Sequence, residues 1–145
     1  MKKKGYQPDD IQVDMPISVD IDGAPYKSTV DLVIRIEDRP MMAIKCAAGS
    51  LGSREREIVS AARLLAIAPL PLAAVSDGVT AILIDVATRK KIGEGLDALP
   101  HRQNMVDRFK IAPLPPLSPD QLAREKLVFR SYDSMNVNVA KKMEK

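Results

Sequence analysis

The chain holds one cysteine, one histidine, no tryptophan and only 3% aromatic residues in 145. A single thiol excludes an internal disulfide and any multi-cysteine zinc cluster. Cys46 falls on the apolar face of a short β pattern, where a buried structural thiol is expected rather than a nucleophile. His101 stands alone in a loop with no partner motif, so neither a histidine-based metal site nor a Ser-His triad can be assembled. Scarce aromatics leave few platforms for stacking unpaired bases, which argues against an OB-fold or an RRM. No GxxxxGK[ST] loop is present, so ATP binding is not expected. No apolar run approaches the roughly 20 residues that cross a bilayer. Lys2, Lys3 and Lys4 are followed by no apolar segment, so no secretory signal is read and a cytoplasmic protein without a membrane partner is expected. A net charge of +3, from 22 basic and 19 acidic residues, is too mild for a strong electrostatic footprint.

What the chain has in quantity is aliphatic side chains. At 46% hydrophobic and 28% charged it reads as one globular domain whose core rests on Ile, Leu, Val, Ala and Met. Residues 1–10 read as a disordered basic end, 11–130 as the domain and 131–145 as a polar tail. Ile11, Val13, Met15, Ile17, Val19 and Ile21 alternate with polar residues, giving a half-exposed strand that Pro16 places at a sheet edge. Asp22-Gly23 turns into a second strand, Tyr26 to Ile36, and Pro40 opens a third that ends near Cys46. A helix is expected from Ser53 to Ala66, with Ser53 as N-cap and Ile58, Ala61, Ala62 and Leu65 as its buried stripe. Two short apolar strands follow, Leu72 to Ser76 and Thr80 to Val86, then a charged loop-like stretch from Ala87. A helix from about Gln103 to Lys110 precedes a proline-rich connector. Ser118-Pro119-Asp120-Gln121 is a strong start for the last helix. The order predicts a mixed α/β (α+β) fold: an antiparallel meander, a helical crossover, further strands, and flanking helices.

Side chains on strands alternate sides. Val30, Leu32, Ile34 and Ile36 form one face of the second strand, leaving Asp31, Val33 and Arg35 on the other. On the third strand Met42, Ile44 and Cys46 match the apolar face, with Ala43 and Lys45 opposite. A three-residue connection through Glu37, Asp38 and Arg39 then sets Asp31 across from Lys45. An aspartate and a lysine so placed form the skeleton of a Mg²⁺-dependent phosphodiesterase site. Two residues before the lysine, where a second carboxylate belongs, stands Ala43.

The segments Ser28-Thr29-Val30-Asp31-Leu32-Val33-Ile34 and Met42-Ala43-Ile44-Lys45-Cys46-Ala47-Ala48-Gly49 resemble the motif strands of the restriction-endonuclease-like PD-(D/E)xK fold. With Ala73 to Gly78, Ile84 to Ile92 and Leu99 to Arg102, the layout is similar to the nuclease domain at the amino terminus of type I restriction enzyme R subunits, over roughly residues 11 to 130. The resemblance implies Asp31 as the metal-ligating aspartate, Lys45 as the motif lysine, Mg²⁺ as cofactor for an active enzyme, and DNA and other restriction subunits as partners. The chain departs from the pattern at Ala43, and it lacks the helix that usually precedes the first strand.

Mg²⁺ binds through one or two carboxylates plus phosphate and water, and Asp31 alone offers one. The leading expectation is therefore a DNA-binding domain of the nuclease fold with lost or weakened cleavage, contacting phosphates through Arg35, Lys45 and the arginines of the 54–63 helix. Ala43→Glu is then expected to restore the ligand without rebuilding the fold. Glu55 and Glu57, interleaved with Arg54 and Arg56, are expected to serve the helix dipole and face solvent. The alternative is an active Mg²⁺-dependent endonuclease in which Glu55 or Glu57 supplies the displaced carboxylate, as some nucleases of this fold do. A third reading is an interaction domain that uses the sheet edge near Pro16.

Overall fold

A computed structural model of the chain describes residues 4–21, 23–46, 52–66, 68–109 and 114–143. The elements are β1 (Ile11–Ile21), β2 (Ala24–Ile36), β3 (Arg39–Cys46), α1 (Gly52–Leu64), β4 (Leu72–Ser76), β5 (Ala81–Asp85), β6 (Lys90–Glu94), α2 (Arg102–Phe109) and α3 (Pro119–Met143). One sheet has the order β1-β2-β3-β4-β5-β6. Only β3 and β4 run parallel, and α1 makes the crossover between them, as parallel pairing requires. This is the expected mixed α/β fold, with the meander first and β1 at an edge. The expected turn residue Asp22, the loop Ala47–Ser50 and the capping side chain of Ser53 lie outside the described residues.

Three local outcomes differ from expectation. The charged stretch after Ala87 contains β6, a short and largely exposed edge strand whose lysines suit an edge that must not pair with another chain. Cys46 is exposed, because it is the last residue of β3 and its neighbour across the ladder, Ser76, ends β4 as well. The β2–β3 connection is a two-residue turn, with Glu37 and Asp38 both at positive φ, as a type I′ hairpin demands.

That shorter turn is offset by a bulge. Pairs run Ile36↔Arg39 and Arg35↔Pro40, then Ile34↔Met42, Val33↔Ala43 and Leu32↔Ile44, so Met41 is an extra residue on β3. Met41 is fully buried, which holds the bulge in place.

The sheet is covered on both faces. One core joins Ile17, Val19, Val30, Val33 and Ala43 to Ile58 of α1 and Phe129 of α3. The other joins Ile34, Ile36, Met42 and Ile44 to Leu99 and to Met105 of α2. Simple alternation would keep Val30 with Leu32 and Ile34, and Val13 with Ile17. Instead Val30 and Met15 pack in the first core, whereas Leu32 and Ile11 pack against the second. The ladder passes from Val13↔Leu32 to Met15↔Val30. Between them Asp14 adopts φ 50° inside a strand, a conformation that Asp tolerates better than most residues. The two long strands thus exchange faces at Asp14 and Asp31, and Val13 is left exposed beside the exchange.

The expected start of α3 is realised. Ser118 Oγ accepts from the Gln121 amide at 3.2 Å, and Gln121 Oε1 accepts from the Ser118 amide at 3.0 Å. A buried carboxylate then bolts α3 to α1. Glu125 accepts from Ser60 Oγ and from Arg63 Nη1, both at 2.8 Å, and also pairs with Arg89 in the β5–β6 turn.

Candidate functional site

The bulge decides the site. With a two-residue turn and Met41 paired in the ladder rather than bulged, Asp31 would stand across from Ile44, and a slip of one residue turns a side chain to the opposite face. Met41 restores the register, so Lys45 and Asp31 follow next beyond the Leu32↔Ile44 pair. Asp31 Oδ2 lies 3.9 Å from Lys45 Nζ and accepts a hydrogen bond from the Cys46 amide at 2.8 Å. That amide fixes the carboxylate at the point where the strands exchange faces.

A second carboxylate reaches the same ammonium: Glu57 Oε1 lies 3.5 Å from Lys45 Nζ. The Glu57 side chain is 3% exposed, against 16% for Lys45 and 31% for Asp31. The expectation that both helix glutamates face solvent therefore fails for Glu57. It precedes Ile58 and stands four residues before Ala61, both buried, so it occupies the margin of the stripe that packs on the sheet. Glu55 is directed elsewhere, into a cavity it shares with Arg56 and Lys91. Of the arginines expected to meet phosphates, Arg63 is committed to Glu125 and to the Val86 carbonyl at 2.7 Å. Arg35 donates to Gln12 Oε1 at 3.0 Å.

Lys45 places one ammonium within ion-pair distance of both carboxylates. Ala43, on the same face of β3 two residues earlier, is fully buried in the first core. The thiol of Cys46 is held above its ordinary pKa by partial burial first and by the Asp31 charge second, so it remains protonated at neutral pH. Among the described residues no three Asp, Glu, His or Cys side chains gather as a ready metal cluster. The donor set is two carboxylates around one lysine.

Residues 1–100 match the family described as Type I restriction enzyme R protein N terminus. The chain belongs to that family. The match spans β1 through β6, including Asp31, Lys45 and Glu57. No curated protein and no solved structure matches the chain. No described helix is long and apolar enough to cross a membrane. For this R-protein N-terminal domain, sequence reasoning reached the pairing of Asp31 with Lys45. It left Glu57 as one of two alternatives, although its position beside Ile58 was a usable signal.

The donor chemistry suits a hard divalent cation. Carboxylate oxygens are what Mg²⁺ and Mn²⁺ prefer, and Mg²⁺ sites commonly use one or two protein carboxylates and leave the remaining positions to water and phosphate. Asp31, partly exposed and oriented by a backbone amide, and Glu57, buried behind it, are the residues that would hold such an ion.

Proposed function

We propose that this R-protein N-terminal domain is a metal-dependent DNA endonuclease whose second carboxylate has moved from the lysine strand to α1, as Glu57. The observation that carries the reading is the buried Glu57 carboxylate at 3.5 Å from Lys45 Nζ, with Asp31 Oδ2 at 3.9 Å from the same ammonium. A carboxylate is seldom this buried unless paired, and a purely solvated helix face would not turn it inward. Ala43 fits the exchange, since the lysine strand itself offers no carboxylate at that position.

When bound, a divalent cation supplies an activated water and neutralises charge developing on the scissile phosphate. The protein's own groups have separable tasks. Asp31, fixed by the Cys46 amide, and Glu57 provide the oxygen ligands. Lys45 keeps the two carboxylates compatible in the ion-free state. With phosphate present its ammonium becomes available to hold the attacking water and to stabilise the added negative charge. Arg54, partly exposed at the start of α1, adds a salt-sensitive phosphate contact.

One observation favours a second reading, a DNA-binding domain without cleavage: the described residues offer two carboxylates and no third ligand. A single assay separates them. Supercoiled DNA is incubated with Mg²⁺ or Mn²⁺ and the native chain, Glu57→Gln, Lys45→Ala or Glu55→Gln. Cleavage by the native chain and Glu55→Gln, reduced at least about tenfold by Glu57→Gln, is the expected outcome. Cleavage indifferent to Glu57→Gln would sink the proposal. Salt-dependent DNA binding with no cleavage under either metal would select the second reading.

A further inference from the structure

A cavity of about 400 Å³ opens on the side of α1 away from Lys45, between α1, α3 and the β5–β6 hairpin. Its volume falls within the roughly 300–1,000 Å³ of small-molecule sites. Val59, Ile84 and Val128 give it an apolar floor, and Arg56, Arg89 and Lys91 stand around it. Tyr132 closes one side. Arg56 is held with its guanidinium carbon 5.9 Å from the centre of the Tyr132 ring, and Nη1 donates to Tyr132 Oη at 3.2 Å.

The cations come from three different elements and converge on one space. Each has existing contacts, but these leave donors over. Arg89 uses one nitrogen on buried Glu125, and its side chain is still 56% exposed. Lys91, 49% exposed, pairs with the solvent-exposed Glu94, a surface pair readily exchanged for a better anion. Among the described residues that line it, Glu55 is the one carboxylate. A ligand for this cavity therefore carries strong negative charge, an apolar body and at least one hydrogen-bond donor for Glu55. Inorganic phosphate lacks the body and a fatty carboxylate lacks the donor.

We infer that the cavity binds a nucleoside monophosphate unit, with phosphate toward Arg56, Arg89 and Lys91, base over the Val59–Ile84–Val128 floor, and Glu55 accepting from the base or sugar. The unit has two sources, a free nucleotide or the 5′-phosphorylated end of a strand. The inference does not depend on the cleavage proposed above, because neither Lys45 nor Asp31 nor Glu57 lines the cavity.

Isothermal titration of the full chain with thymidine 5′-monophosphate, thymidine and inorganic phosphate tests it. Saturable binding of the monophosphate is expected, at least tenfold tighter than either fragment. Lys91→Gln and Arg56→Gln should each weaken it about tenfold, the loss of one charge-assisted hydrogen bond. Both side chains lie at the surface, so both variants should fold. On the native chain, shifts of the Val59, Ile84 and Val128 methyl resonances locate the ligand without any substitution. Displacement of the monophosphate by a 5′-phosphorylated but not a 5′-hydroxyl oligonucleotide assigns the strand end. Displacement by neither assigns the free nucleotide. No saturable binding, binding indifferent to both substitutions, or phosphate as tight as the nucleotide would overturn the inference.

Discussion

Ala43→Glu is the most demanding test of how this site is built. If the lysine strand merely lacked a ligand, a glutamate at 43 would restore it at little cost. The structure argues otherwise, because Ala43 is fully buried in the core beneath α1 and Glu57 already reaches the same ammonium. The new side chain overpacks a filled region, at about 1–3 kcal/mol. It also places a second buried acid beside Glu57 with one lysine to share, a cost of several kcal/mol for an ionised group that proton uptake reduces. A net loss of about 3–5 kcal/mol follows, a large part of the 5–15 kcal/mol typical of a domain. At a urea m-value of about 2 kcal/mol/M this lowers the midpoint by about 1.5–2.5 M. Removing Glu57 at the same time vacates both the space and the charge. In Ala43→Glu/Glu57→Ala the penalty should therefore fall short of the sum of the single variants by about 1 kcal/mol or more. Equilibrium urea unfolding of the four proteins of this cycle measures the coupling. A single variant costing under about 0.5 kcal/mol, or additivity within about 0.3 kcal/mol, would refute the claim that positions 43 and 57 compete for Lys45.

Glu125→Ala should cost about 3–5 kcal/mol, since it leaves Arg63, largely buried, without its carboxylate; thermal unfolding reads this, and a loss under 1 kcal/mol would remove Glu125 as the bolt between α1 and α3. Gly93→Ala should destabilise by about 1–3 kcal/mol, because a Cβ there would stand 2.7 Å from the Ala98 Cβ; an unchanged midpoint in urea would mean that the segment around Ala98 yields freely. The Asp77 carboxyl titrates below its ordinary value because the amides of Thr80 and Val79 donate to it. Its folded pKa being depressed, its contribution to the β4–β5 turn is present above the ordinary carboxylate pKa of about 4 and is lost as pH falls through the folded value. The Val79 and Thr80 amide resonances should shift together in that acid range, and Asp77→Asn should abolish the shift.

Legibility followed the physics of each element. Asp31 and Lys45 could be read because a three-residue turn and a two-residue turn with Met41 bulged contain the same number of residues between Ile34 and Met42, so the later pairs agree. The exchange of faces at Asp14 could not be read, since the polar and apolar residues go on alternating while the backbone changes hand at one position. β6 was hidden by its own edge chemistry: Lys90, Lys91 and Glu94 are what an exposed edge needs and also what a loop contains. Glu57 was obscured by Arg54, Glu55 and Arg56, which give the start of α1 the composition of a solvated surface. Only its offset from Ile58 and Ala61 distinguished it. Ser118 and Gln121 gave the start of α3 without ambiguity, because a reciprocal cap needs nothing beyond four consecutive residues.

The Met41 bulge bears on how such a hairpin can change length over time. Because Met41 faces no residue of β2, a chain without it would join Arg35↔Pro40 directly to Ile34↔Met42 and still set Lys45 next to Asp31. Carrying the extra residue in the turn, as a three-residue connection through Arg39, leaves Ile34↔Met42 and every later pair unchanged as well. The later pairs are thus the same with the extra residue in the bulge, in the turn, or absent. Relatives with a longer turn and no bulge can therefore carry the same pairing, and an alignment that places its gap by loop length alone will move the lysine by one.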